Sequence, residues 1–229
     1  MSGVQLGLIG YGAAQSVLLT LCGTGMGLAF GFLAGLARVA PSRAVRGVAC
    51  CYVGLFRGVP VLVLAFWFVY ALPALGFQLD QLFAGILALA LHGSGHVAGI
   101  VATAVRAVPS GQHDAAVALN LPPARRALRV TLPQTLLGVV RPCADMVIEP
   151  LKASVVVAVV SISELTFSGQ LIWRGNGRAA AIFAGLLVGY GVLAVALTAG
   201  LRVLRAWVED PAFRRSVPPR AIRSVGADR

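Results

Sequence analysis

Charged residues are scarce in this chain of 229 amino acids. They make up 12% of the sequence, whereas 58% of the residues are hydrophobic and the mean hydropathy is +0.86. A soluble domain usually carries about 25% charged residues. A soluble fold of this length would need a polar surface that this composition does not supply. The sequence therefore predicts an integral membrane protein.

Long runs without charge mark the segments expected to cross the membrane. Residues 1–37 carry no charge at all, and a helix that crosses about 30 Å of hydrocarbon needs roughly 20 apolar residues. The runs lack the alternation of barrel strands, so we expect an all-α fold with about five transmembrane helices. The predicted spans lie near residues 12–37, 58–76, 83–105, 135–162 and 180–202. The first is too long for a secretory signal and has no basic residue before it, so we expect it to be retained.

Signatures of several catalytic sites are also missing. The sequence has no GxxxxGK[ST] phosphate-binding loop, no HExxH zinc motif and no GxSxG nucleophile motif. The four cysteines, Cys22, Cys50, Cys51 and Cys143, lack metal-ligand spacing and are interpreted as small apolar side chains. We therefore expect no enzymatic activity, no metal and no bound ATP in this chain.

The basic residues that are present cluster on one side of the predicted membrane domain. Fourteen of the 19 follow spans 1, 3 or 5, and basic loops stay in the cytoplasm. The N-terminus is thus predicted to lie outside and the C-terminus in the cytoplasm. This topology explains the net charge of +11, with a contribution from anionic lipid and no role for nucleic acid. We expect a transmembrane domain over residues 1–208 and a disordered basic tail over residues 209–229.

Glycines recur every fourth residue in the first span. Gly23, Gly27, Gly31 and Gly35 would share one face of a helix, where a second helix can approach closely. The pattern predicts a helix contact, but it does not say whether the partner helix belongs to the same chain.

The fourth predicted span contains four charges. Arg141, Asp145, Glu149 and Lys152 are spaced to share one helical face, and charges facing lipid are costly. They form either a ladder of ion pairs, Arg141 with Asp145 and Glu149 with Lys152, or part of a translocation path. The prolines in this region, Pro133, Pro142 and Pro150, predict a broken helix. Broken, polar-faced helices are typical of transport paths.

Two histidines in the third span are also four residues apart. His92 and His96 could bind a metal, but no third ligand is evident in the sequence. We interpret them as polar residues that face the interior of the helix bundle.

A polar segment, residues 106–134, interrupts the apolar chain on its predicted cytoplasmic side. It reads as two short helices, one over residues 112–119 and one that starts at Pro122 and Pro123, because proline suits the first turn of a helix. Short amphipathic helices in such a place can lie on the membrane or fit a groove on a partner protein.

Motifs along most of the chain resemble the permease subunit of a binding-protein-dependent ABC importer of the polar amino-acid type. The family motif is EAA, a glycine four positions later, and then Ile/Val-x-Leu-Pro. The similar segments are FRGVP at 56–60, VPSGQ at 108–112, DAA at 114–116 with Asn120, VTLP at 130–133, LK at 151–152 and EL at 164–165. The resemblance covers about residues 12 to 205.

The resemblance implies a five-helix core of the type I importer permease class. It also implies that the EAA-like loop docks on a separate ATP-binding cassette ATPase, which binds ATP and magnesium. The residues that it assigns to this coupling are Gly111, Gln112, Asp114, Ala115, Ala116, Asn120, Leu132 and Pro133. Further implied partners are an extracellular solute-binding protein and a second permease chain, identical or different. The implied location is the bacterial plasma membrane.

The motif differs from the family pattern at several positions. Asp114 keeps the charge of the usual Glu, and Asn120 replaces a glycine. A turn at this position would need a positive φ, which asparagine adopts more readily than other residues with a side chain. Members of the family often carry one acidic and one basic residue ahead of the loop. In this chain both charges are missing, because Gly99 and Ala102 stand at those positions.

Two functions from different classes therefore remain at this point. The first is an ATP-driven importer permease for amino acids or similar small polar solutes. The second is an ion-driven secondary transporter with a buried Asp/Glu/His relay. For either, the candidate path residues are Arg57, His96, Asp145, Glu149, Lys152 and Glu164. A membrane enzyme that uses His92 and His96 is a third and weaker hypothesis.

Overall fold

A computed structural model of the chain describes residues 3–160, 162–176 and 179–208. Every regular element in these ranges is helical. The helices are α1 Gly3–Ala37, α2 Arg43–Gly58, α3 Val61–Ala74, α4 Gln81–Arg106, α5 Ser110–Ala118, α6 (Pro123–Arg126, a π-helical turn Ala127–Thr131, then Leu132–Asp145), α7 Ile148–Val160, α8 Leu165–Asn176 and α9 Ala179–Val208. The all-α prediction is confirmed. The predicted tail, residues 209–229, lies outside the described residues.

Three of the five predicted spans are single long helices. Within the described residues, α1, α4 and α9 are long and apolar enough to cross a membrane, and the number rises to five if two bent helix pairs each count as one span. These three correspond to the predicted spans near residues 12–37, 83–105 and 180–202. The orientation of the termini stays a prediction.

The predicted second span, residues 58–76, was wrong in its bounds. The chain forms α2 and α3 instead, and their axes meet at 98°. The break follows from Pro60, because the residue before a proline avoids the helical region and Val59 is extended with ψ 128°. Helix α2 was not predicted, because Arg43, Arg46 and Arg57 lie within it and leave no long uncharged run.

The predicted fourth span, residues 135–162, is also corrected. The helix is interrupted between Asp145 and Ile148, so that α6 and α7 are separate helices. Pro150 explains the interruption, because its ring clashes with the carbonyl four residues earlier, at Met146. The bent pair that resembles a membrane span consists of α7 and α8, which meet at 45°.

The glycine face of α1 packs along α4 of the same chain. A methyl group at Gly31 would lie 2.5 Å from Cβ of Val97 and 2.8 Å from the carbonyl oxygen of Ser94. At Gly35 it would lie 2.6 Å from Cβ of Val101. The predicted close contact is confirmed, and its partner helix is intramolecular. This contact between the glycine face of α1 and α4 is called the α1–α4 seam. It holds α4 in the centre of the bundle, and a larger share of the apolar part of α4 is buried than in α1 or α9.

Candidate functional site

The polar segment folds into a helical hairpin made of α5 and the start of α6. Its first helix runs over Ser110–Ala118, and the second begins at Pro123, as the sequence predicted. The two arms touch through the π-helical turn Ala127–Thr131 and through His113, whose Nε2 lies 3.5 Å from a guanidinium nitrogen of Arg126. The π-helical turn ends shortly before Pro133, which removes one backbone donor from the helix.

A positive φ at Asn120 closes the turn between the two arms. Asn120 has φ 52°, and its N–H donates to the carbonyl of Val117 at 2.8 Å. The N–H of Leu121 donates to the carbonyl of Ala116 at 3.1 Å. These two bonds form a Schellman motif, the arrangement that usually carries glycine. The conformation predicted for Asn120 is therefore confirmed.

Four of the eight residues assigned to coupling are exposed on this hairpin. Gly111, Asp114, Ala115 and Asn120 are exposed, Gln112 is partly buried, and Ala116 is the one that is buried. Leu132 and Pro133 lie apart from them in α6 and are half-buried. The hairpin also exposes large apolar side chains, namely Val117, Leu119 and Leu128. The hairpin thus presents a surface of mixed polar and apolar side chains, and Ala116 is buried beneath it.

The two histidines lie side by side on α4, next to the break between α2 and α3. Nδ1 of His92 lies 3.2 Å from the carbonyl oxygen of Val59, and Nδ1 of His96 lies 3.3 Å from the carbonyl oxygen of His92. The ring centroids are 5.2 Å apart. The described residues contain no group of three or more His, Cys, Asp or Glu side chains that could hold a metal ion.

The charges of the predicted path are exposed on α6 and α7. Lys152 Nζ lies 3.0 Å from Oε1 of Glu149, so the Glu149–Lys152 pair of the predicted ladder is present. Arg141 and Asp145 lie on α6, before the interruption, and are also exposed. Arg57 is exposed at the end of α2, where its backbone packs against Gly95 of α4.

A cavity of about 370 Å³ connects several of these residues. It lies between α1, α4 and α7, and its polar lining residues are Thr24, His92, His96 and Glu149. A neighbouring cleft of about 610 Å³ shares Leu28, Val97 and Cys143 with it. The described residues that line this larger cleft include no charged side chain, so the polar groups are concentrated in the smaller cavity.

Glu164 has surroundings that the sequence did not predict. It is fully buried and precedes α8, where its Oε1 accepts hydrogen bonds from the backbone N–H groups of Thr166 at 2.7 Å and Phe167 at 3.1 Å. Its Oε2 accepts bonds from the hydroxyls of Ser16, at 3.0 Å, and Tyr190. Glu164 is thus a buried helix cap that joins α1, α8 and α9. The Ser16 and Tyr190 contacts carried no sequence signal, because they are 148 and 26 residues away.

Comparison with known proteins gives a consistent result. The model of a family described as binding-protein-dependent transport system inner membrane component matches residues 27–210. The probable amino-acid ABC transporter permease protein y4tF of Sinorhizobium fredii is 29% identical over 89% of this chain and 88% of its own length. The glutamine transport system permease protein GlnP of Escherichia coli is 29% identical over 84% of this chain and 89% of its own.

Solved structures of similar fold are also transporters. The crystal structure of an amino acid ABC transporter with histidines matches with a TM-score of 0.78 and 25% identity, over 87% of this chain and 93% of that chain. The inward-facing MetNI methionine ABC transporter matches with a TM-score of 0.74 and 22% identity, over 90% and 99%. The second likeness supports the fold alone.

Proposed function

Because the chain belongs to the family of binding-protein-dependent transport system inner membrane components, we propose that it is the permease subunit of an ATP-driven importer of amino acids or similar small polar solutes. The proposed solute class rests on the amino-acid and glutamine permeases that it resembles across most of its length. The chain itself catalyses no reaction in this proposal. It forms the membrane path, and a separate subunit hydrolyses ATP.

The observation that carries the proposal is the exposed α5–α6 hairpin. A membrane subunit without a phosphate-binding loop can receive work from a partner ATPase if it offers a docking surface, and an exposed helical hairpin offers one. The Schellman turn at Asn120 holds the hairpin in shape, and Val117 and Leu119, 50% and 75% exposed, offer apolar contacts. We assign this surface to an ATP-binding cassette ATPase that holds ATP and magnesium. A solute-binding protein outside the cell and a second permease chain complete the proposed assembly.

A bulky side chain on the hairpin should break this contact. Ala115 is exposed on α5, so Ala115→Trp should leave the membrane helices folded and reduce both ATPase retention and ATP-driven uptake by about tenfold or more. The matched control is Ala44→Trp, at an exposed position in the first turn of α2, which should change neither. The measurement is purification of the tagged chain from its native membrane in mild detergent, with identification of co-purified proteins by mass spectrometry.

Two results would contradict the proposal. One is a chain that is isolated without an ATPase even after crosslinking before solubilisation. The other is full uptake by Ala115→Trp. A loss of uptake in Ala115→Trp supports the proposal only if the variant elutes as wild type on size exclusion, because misfolding would also abolish uptake.

The ion-driven alternative gains no support from the structure. Glu149 already has Lys152 as a partner, and Glu164 is committed to capping α8. Although Glu149 lines the same cavity as His92 and His96, the family to which the chain belongs is binding-protein-dependent.

A further inference from the structure

The bend between α2 and α3 leaves two backbone carbonyls without a helical donor. In a continuous helix the N–H of residue 60 would donate to the carbonyl of Phe56, but Pro60 has no N–H. The N–H of Val63 would donate to the carbonyl of Val59, but it donates to the carbonyl of Pro60 at 3.0 Å instead. Within a membrane such a carbonyl costs free energy unless another group donates to it. The bend therefore needs a donor from a third helix.

His92 of α4 supplies this donor. Its Nδ1 lies 3.2 Å from the carbonyl oxygen of Val59, and the carbonyl of Phe56 interacts with the same ring. Because a carbonyl oxygen can only accept, Nδ1 carries the hydrogen and donates it. His92 thus joins α4 to the two carbonyls that Pro60 deprives of their helical donors.

Two further contacts hold the end of α2 on the same part of α4. The hydroxyl of Tyr52 lies 2.8 Å from Oγ of Ser94. At Gly95, an added methyl group would lie 2.9 Å from the backbone nitrogen of Arg57, so the missing side chain of Gly95 lets α2 approach closely. The position of the bend relative to α4 is therefore defined by side-chain and backbone contacts together.

This position places Arg57 deep in the membrane domain. Helix α4 runs over Gln81–Arg106, so Gly95 lies about 21 Å from one end of it and about 17 Å from the other, at 1.5 Å per residue. Arg57, which packs on Gly95, has an exposed side chain. A charged side chain at such a depth faces a water-filled cavity or another protein rather than lipid. The orientation of the bend thus decides what surrounds the guanidinium of Arg57.

Resting on the proposed function, in which the chain forms the membrane path, we propose that His92 is a positioning residue for Arg57. Its Nδ1–H replaces the donor that Pro60 lacks and holds the bend so that Arg57 faces the water of the path. Without this donor, α2 shifts until the two carbonyls find other partners, and Arg57 moves with it. Asparagine can replace His92, because its amide nitrogen is bonded to Cγ, as Nδ1 of histidine is, and also donates.

The test measures how readily water-soluble reagents reach position 57 in the assembled complex. Arg57→Cys is introduced into a chain whose four native cysteines are replaced by alanine. Its reaction with a charged maleimide is timed in nanodiscs, where both faces of the membrane are accessible. His92→Ala should slow this reaction by about tenfold or more, because position 57 then spends most of its time away from water. His92→Asn should react as fast as the parent chain.

Two controls separate positioning from a general effect on the bundle. His96→Ala is the matched control, since Nδ1 of His96 lies at the carbonyl oxygen of His92 within α4, and it should leave the rate unchanged. Gly25→Cys reports loosening of the bundle, because Gly25 lies on α1 with no neighbouring atom within 4 Å. Its own reaction rate should not change on His92→Ala.

Three results would overturn the inference. They are a rate at position 57 that His92→Ala leaves unchanged, a rate that His92→Asn slows as much as His92→Ala does, and a parent chain in which Arg57→Cys does not react. If His92→Ala does not assemble, His92→Leu takes its place, since leucine keeps bulk and lacks a donor. In all three cases the proposed function stands, since that function fails only if no ATPase accompanies the chain or if Ala115→Trp retains full uptake.

Discussion

At the scale of single residues, Asn120 is the most informative departure from the family motif. A residue with a side chain at φ 52° is strained unless its side chain tolerates the left-handed region, and asparagine does so better than most. The substitution of glycine by asparagine therefore keeps the turn. It also reduces the conformational freedom of the unfolded hairpin.

Changes at Asn120 should affect the hairpin locally. We expect Asn120→Gly to preserve it and Asn120→Val to destabilise it by about 1–3 kcal/mol, because a β-branched side chain is poorly tolerated at positive φ. Hydrogen exchange of the α5 amides measures this opening directly, and each 1.4 kcal/mol corresponds to a tenfold faster exchange. Unchanged α5 exchange in Asn120→Val would show that the turn does not depend on this residue.

Glu164 and Asp80 are two helix caps that differ in burial. Asp80 caps α4 at an exposed position, with hydrogen bonds to the N–H groups of Leu82 and Phe83. Glu164 caps α8 while fully buried and also holds two hydroxyls. Loss of a cap costs about 1 kcal/mol, and buried polar groups left without a partner add about 1–3 kcal/mol each.

We therefore expect Glu164→Ala to lower the thermal midpoint of the purified chain clearly more than Asp80→Ala. The comparison uses thermal unfolding in one detergent for both variants. Tyr190→Phe should fall between wild type and Glu164→Ala, because it removes one of the bonds to the carboxylate. Equal midpoints for the two cap variants would mean that burial adds nothing to the role of Glu164.

At the scale of helices, the seam between α1 and α4 can be tested with glycines on one helix. Gly31 faces α4, whereas Gly25 has no neighbouring atom within 4 Å. Gly31→Ala should destabilise the bundle by about 1–3 kcal/mol through overpacking. Gly25→Ala should be neutral or stabilise by up to about 1 kcal/mol, since alanine favours helix. Thermal midpoints that move in the same direction for both variants would argue against the seam.

Helix boundaries in this chain are set mainly by proline. The interruptions at Val59–Pro60 and before Pro150, and the π-helical turns that precede Pro73 and Pro133, all follow from the missing N–H and the bulk of the ring. The prolines of the fourth span predicted a broken helix from the sequence alone. At Pro60 no break was predicted, because the uncharged run that defined the second span begins only two residues before it, directly after Arg57.

At the scale of the whole molecule, the sequence predicted the membrane-protein class and the long helices. It predicted the packing between helices only in part. Scarcity of charge was enough for the membrane assignment, and the spacing of Gly23 to Gly35 was enough for a helix contact. The partner of that contact, α4, had no signature of its own, since its contribution comes from carbonyls and valines. The cavity, likewise, joins Thr24, His96 and Glu149 from three helices, and their sequence separation hides their proximity.

The seam between α1 and α4 has a consequence for how the protein is made. Val97 is synthesised 66 residues after Gly31, which at roughly 5–20 residues per second takes about 3–13 s. During that interval α1 leaves the ribosome and enters the bilayer with its glycine face uncovered. Any other helix with a small-residue face could occupy it in the meantime. Correct assembly thus depends on α4 arriving before such a competitor, and variants that slow translation between α1 and α4 would lengthen this vulnerable stage without changing a residue of the finished protein.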